Sequence, residues 1–178
     1  MTGSVDTNHT ATLTPGTYSG TSTEYANGIG KTTLTTFCND NNGFSIYTIG
    51  YTNDTYGTTT LIGQSTSNTI VTGTATSAGN PDTSNWAMKL TAPSSPTPTY
   101  PITLDNGFGS YSAVPNSYTK VAHRDSSTDI GTNAEGATLT TTYAAYISKT
   151  QAADTYSGQV IYTLVHPASE EPLQPQPS

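Results

Sequence analysis

Ala137-Thr-Leu-Thr-Thr-Thr-Tyr-Ala-Ala-Tyr-Ile-Ser148, Lys149-Thr-Gln-Ala-Ala-Asp154 and Thr155-Tyr-Ser-Gly-Gln-Val-Ile-Tyr-Thr-Leu-Val165 follow one another near the end of the chain, and their reading decides the fold class. Large side chains recur at every second position, the period of a strand with one buried face. Leu139, Tyr143, Ala145 and Ile147 share one face of the first run, and Tyr156, Val160, Tyr162 and Leu164 share one face of the second. The short polar stretch between them predicts a turn, and the two runs therefore read as an antiparallel pair ended by Pro167.

Working outward, similar but shorter runs recur between turn signals. Thr10–Thr14 reads as a strand stopped by Pro15-Gly16. Thr17–Tyr25 and Lys31–Phe37 flank Asn27-Gly28, which predicts a hairpin, with Leu34 and Phe37 as apolar contacts. Phe44-Ser-Ile-Tyr-Thr-Ile-Gly-Tyr51 is almost continuously apolar or aromatic and too short for a helix, so it reads as a central strand buried on both faces. Leu61-Ile62, Thr69–Thr72, Trp86–Leu90, Phe108–Val114 and Tyr118–Ala122 are further short strands, with Trp86 as a core anchor. Cys38–Gly43, Thr52–Gly57, Thr74–Ser84 and His123–Glu135 read as loops or turns. Pro93-Ser-Ser-Pro-Thr-Pro-Thr-Tyr-Pro101 lacks amide donors at its prolines and reads as an extended surface connection within one domain. The predicted organisation is a flexible N-terminal segment over 1–9, a single domain over 10–167, and a Pro/Gln-rich disordered tail or linker over 168–178. Many short strands between turns predict an all-β fold, an antiparallel β-sandwich with little or no helix.

Composition points the same way. Only 10% of the 178 residues are charged, and mean hydropathy is still negative at -0.43, because Thr, Ser, Asn and Gly occupy the usual places of Lys, Glu and Arg. Threonine is stiff at χ1 and suits a pleated surface. The 12 tyrosines each bring an apolar body with a polar tip. Disordered chains lack such aromatic and β-branched content, so the central body reads as folded.

A net charge of -7 with only five Lys plus Arg repels phosphate backbones and offers no basic patch to anionic lipid, so neither nucleic acid nor direct membrane insertion is expected. No apolar run reaches the roughly 18 residues of a membrane span. Cys38 has no internal cysteine partner and reads as a small buried hydrophobe. Thiol poverty with threonine richness suits an exported protein better, although a cytosolic protein can also carry one cysteine. Met1-Thr-Gly-Ser4 reads as a fragment edge, and if the protein is exported its signal has been removed.

Asn41–Asp54, Asn85–Leu90 and Tyr143–Pro167 resemble uncharacterised exported surface β-sandwich proteins of Saccharibacteria-type and Gram-positive bacteria. Ala153–Leu164 is similar to the closing hairpin of bacterial surface modules, including WxL-type and adhesin domains. The resemblance covers about half the chain in patches. It implies an immunoglobulin-like or adhesin-like sandwich at the cell surface and carries no site residues with it.

His123, Asp125 and Ser126 are adjacent in sequence, which does not make a triad, and no G-x-S-x-G elbow accompanies them. His9, His123 and His166 lack the paired spacing of a zinc site. Asn39–Gly43, with Asp125 and Asp129, supplies oxygens without the spacing of a calcium loop, and Asx turns explain the cluster. Lys31, Lys89 and Lys149 lie on or beside strands, where a lysine–asparagine isopeptide crosslink is conceivable and a snorkelling stem is the ordinary reading. Neither a cofactor nor a metal is expected.

Tyr47, Tyr51, Tyr56, Tyr111 and Tyr118 lie near loops and are the candidate ligand-binding residues, since aromatics beside Asn and Asp can stack on sugars or anchor a protein. The expected function is a non-enzymatic extracellular surface module, an adhesion, stalk or display domain with a protein or glycan partner. The alternatives are a carbohydrate-binding module using exposed aromatics and a filament or pilus-type structural subunit whose strand edges pair between chains.

Overall fold

The computed structural model describes residues 2–5, 26–37, 43–52, 54–75, 83–92, 102–124, 136–148 and 150–165. Among these there is no helix. Twelve strands form two sheets, one of them curled into a half-barrel, and the fold is all-β and sandwich-like.

The first sheet runs β1-β2-β10-β7-β6-β5-β11, from Thr2–Val5, Ala26–Phe37, Gly136–Tyr146, Asn85–Thr91, Thr69–Thr72, Leu61–Gly63 and Tyr156–Ser157 respectively. The second runs β12-β3-β9-β8, from Gln159–Val165, Phe44–Thr52, Thr119–Arg124 and Thr103–Leu104, with β4 (Thr55–Tyr56) folded back on β3. Pairing is antiparallel except between β6 and β7, which run parallel through Val71↔Asn85 and Thr72↔Trp86. Both sheets contain strands from either side of the Pro-rich stretch 93–101, through β2–β10 and β3–β12.

The core lies between the sheets. Phe44, Ile46, Ile70, Trp86, Met88, Leu90, Val121, Leu139 and Ala145 form its buried centre, and Tyr143, Ile147, Tyr156, Val160, Tyr162 and Leu164 pack against it. Both long C-terminal runs thus point to the core the faces their alternation predicts. β3 is central, paired with β12 and β9, and buried at seven of nine positions, as its near-continuous apolar reading requires. Trp86 is buried, and its indole N–H donates to Thr59 O at 2.7 Å.

The pairing of those two runs differs from the expectation. β10 pairs with β2 and β7 in the first sheet, whereas β12 pairs with β3 in the second, so they form no hairpin. Thr155–Val165 is also not one strand: Tyr156–Ser157 joins β5 in the first sheet, and after Gly158 the chain crosses to the second. A Cβ at Gly158 would stand 2.7 Å from Leu61 Cδ2, so glycine lets the crossing chain pass close over β5. The predicted closing hairpin is therefore a connection between sheets.

Asn27-Gly28 likewise makes no turn. It lies within β2, where Gly30 faces Tyr143 and Ala26 faces Ala145, so extra β2 residues bulge out of the ladder. Phe108–Val114 contributes one bridge, Ser112 to Met88, because the turn at Asn106-Gly107 (φ 49 and 77°) continues through Ser110, with Phe108 N–H on Asp105 O and Ser110 N–H on Gly107 O. Thr2–Val5, inside the segment expected to be loose, pairs with β2. Thr10–Tyr25, Cys38, residues 93–101, 125–135 and the 168–178 tail lie outside the described residues.

Candidate functional site

Of the five candidate tyrosines, the structure brings two together. β3 ends at Thr52, and a tight turn with Asp54 at φ 57° returns the chain as β4, so Tyr51 and Tyr56 face each other across the pair. Their ring centroids are 4.8 Å apart at 60°, an edge-to-face contact. Tyr51 Oη–H donates to Asp54 Oδ1 at 3.0 Å, and this bond, with minor desolvation and the carboxylate's charge, raises the phenol above its ordinary pKa. Asp54 is exposed and both rings are half-buried, which makes a small polar-aromatic corner at the turn.

The other three lie apart from that pair. Tyr47 is only 9% exposed, which leaves little ring for a ligand. Tyr111 packs on a small cluster of Ala75, Ala87 and Ala144, with Lys89 Nζ 5.9 Å from its ring centroid. That places the Lys89 ammonium over an aromatic face, a snorkelling arrangement. Tyr118 is half-buried just before β9.

Four further arrangements join residues whose spacing in the sequence gives no sign of them. His123 lies on β9 rather than in a loop, and its Nδ1 donates to Asp105 Oδ2 at 2.7 Å. Asp105 follows β8, whose pairing with β9 creates the contact, so this partner is remote in sequence. A His–Asp pair is the orienting half of a hydrolytic triad, but it is equally a tie between strands. Arg124 is 1% exposed, with its guanidinium 5.0 Å from the Phe44 ring centroid, an unusual burial for a charged residue.

The third arrangement spans the core. Tyr143 and Tyr162 hydroxyls are 2.8 Å apart, and Tyr162 donates onward to Thr141 Oγ1 at 2.8 Å, which makes Tyr143 the donor to Tyr162. This chain ties β10 to β12 across the two sheets. Burial, then the neighbouring Tyr143, pushes the Tyr162 phenol well above its usual range, and the bond to Thr141 opposes this.

Asp154 forms the fourth. Its carboxylate accepts from Ser65 N–H (3.0 Å), Thr66 N–H (2.8 Å), Thr66 Oγ1–H (2.7 Å) and Thr155 N–H (2.7 Å). These bonds, the Thr66 hydroxyl's first, lower its pKa to about 2 against a smaller desolvation effect. The cluster clamps the β5–β6 turn to the chain entering β11. Alternation along a strand carries no trace of such partners, so the only signal available was an acid at the end of a polar turn.

Among the described residues, no group of three His, Cys, Asp or Glu gathers to hold a metal ion, and no helix is long and apolar enough to cross a membrane. The chain matches no family model, no curated protein and no solved structure.

Proposed function

We propose that the chain is a non-enzymatic surface module of an exported bacterial protein, an adhesion, stalk or display domain. The observation that carries this reading is the use made of its polar and titratable side chains. Asp154 clamps two connections, His123 and Asp105 tie β9 to the end of β8, and Tyr143, Tyr162 and Thr141 tie one sheet to the other. Among the described residues these titratable groups hold strands together, as suits a domain that must keep its shape. Low charge and abundant threonine on strands support the same reading. The test is labelling of intact cells that encode the protein with an antibody to this domain. Signal on unpermeabilised cells is the expected result, and signal only after permeabilisation would contradict it.

A second reading, a carbohydrate-binding module, draws on the Tyr51–Asp54–Tyr56 corner, where two rings and a carboxylate meet at an exposed turn. The 60° between the rings gives no flat platform, so any sugar would stack on one ring and bond to Asp54. A glycan array separates the readings: binding lost in Tyr56→Ala favours the sugar module, and an array without signal removes its support.

A further inference from the structure

The edges of the two sheets are unequally protected. β8 and β11 are two residues long, β1 is four, and short edge strands offer little template for another chain. β12 has seven residues, Gln159-Val-Ile-Tyr-Thr-Leu-Val165, pairs with β3 in unbroken register, and has no other strand neighbour among the described residues. It contains no charge, proline or bulge, the devices that usually blunt an edge.

The register shows which groups face outward. Gly50 N–H donates to Pro115 O and Gly50 O accepts from Gly57 N–H, so both Gly50 groups point away from β12. Gly50 pairs with Val160, which makes this a non-hydrogen-bonded pair, and alternation makes Thr48–Tyr162 and Ile46–Leu164 the same. The N–H and C=O groups of Val160, Tyr162 and Leu164 therefore point out of the sheet's open edge, while their side chains pack against the core.

We infer that this edge pairs with β12 of a second copy of the chain, antiparallel about a two-fold axis at Tyr162. That register sets Val160 opposite Leu164 and Tyr162 opposite its mate, so every outward group of the three residues is bonded. The partner's Val160, Tyr162 and Leu164 fall on the same face as the first copy's, beside the core. On the other face Ile161 meets Thr163, a pair of β-branched side chains that pack well across strands. The segment suits itself on both faces, and with no charge it selects neither an acidic nor a basic partner. The pairing is isologous and closes on itself, so it yields a two-chain particle with one continuous sheet and not a filament. It deepens the surface-module reading by giving that module two copies side by side.

The test combines light scattering during size exclusion with amide exchange of the whole chain across the micromolar range. The expected result is a two-chain particle in which the Val160, Tyr162 and Leu164 amides are protected and lose protection on dilution. Thr163→Lys, which sets a charge opposite the second copy's Ile161, should convert it to single chains with unchanged circular dichroism, and Thr163→Val should not. A single chain with those amides exposed overturns the inference. So does a single chain with them protected, which would mean a segment of the same molecule covers the edge. A particle that grows with concentration, or one of two chains that Thr163→Lys leaves intact, also overturns it. If Thr163→Lys fails to fold, exchange in the unaltered chain decides. Loss of this pairing leaves cell labelling to judge the module reading separately.

Discussion

β10 and β12 carry similar alternations of threonine, tyrosine and aliphatic side chains, and each points them at the same core. β10 lies between β2 and β7, and its Leu139 and Thr141 are fully buried. Among the described residues β12 has β3 as its one strand neighbour, and its core-facing Val160, Tyr162 and Leu164 are half-buried. The two strands meet through side chains, at the Tyr143–Tyr162–Thr141 hydroxyls, and not through backbone bonds. The difference teaches that a two-residue period fixes which way side chains face but leaves the neighbour open. The neighbour is set by the connection, and here Asp154 and Gly158 route the chain across to the other sheet.

The largest expected effect contrasts the strands directly. Leu139→Ala should cost about 3 kcal/mol of stability in urea unfolding, because it leaves a cavity in the closed centre. Leu164→Ala, at the open strand, should cost about half as much or less. Equal losses would break the contrast between a central and an edge strand.

Next come the glycines that allow close approach. A Cβ at Gly50 would lie 2.6 Å from Thr58 O, a backbone atom in the segment that Trp86 and Thr52 hold through Thr59 O and Thr60 O. Gly50→Ala should therefore cost about 1–3 kcal/mol. Gly158→Ala meets only the end of the Leu61 side chain and should cost less. The reverse order would place the tighter crossing at the β11–β12 join.

Tyr162→Phe removes the middle of the hydroxyl chain and both of its bonds, a loss of about 1–2 kcal/mol. Tyr143→Phe removes one donor and leaves the bond to Thr141, so its effect should be smaller by the same measurement.

The smallest effect concerns pH. The Asp154 carboxyl is lowered in the folded state to about 2, below its unfolded value near 4, so the unfolded chain takes up the proton first as pH falls. Its stabilisation is present above about pH 4 and is lost between about 4 and 2. Asp154→Asn should flatten that part of a stability–pH curve, and an unchanged slope would show that the clamp is not pH-linked. Because Asp154 lies at a solvent-accessible turn, the change should be modest.

Much of the fold was legible because burial writes a period into the chain. The core faces of β10 and β12, the central place of β3, and the anchoring of Trp86 follow from alternation and size alone. Asn27-Gly28 misled because glycine serves a bulge as well as a turn, and only the length of β2 distinguishes the two. Phe108–Val114 misled because the turn begun at Asn106-Gly107 runs on through Ser110, where Phe108 N–H donates to Asp105 O and Ser110 N–H to Gly107 O. The polar arrangements were illegible for a different reason. His123 finds Asp105 through strand pairing, Asp154 finds Thr66 across the molecule, and Arg124 is buried against Phe44, none of which leaves a local spacing to read.

The placement of the last two long strands in opposite sheets can be read from nuclear Overhauser contacts between α-protons. Non-hydrogen-bonded antiparallel pairs bring these protons close together. The account expects such contacts for Gly50–Val160, Thr48–Tyr162 and Ile46–Leu164, with β10 showing its backbone contacts to β2 and β7. α-Proton contacts between 137–147 and 156–165, the signature of a hairpin, would contradict it.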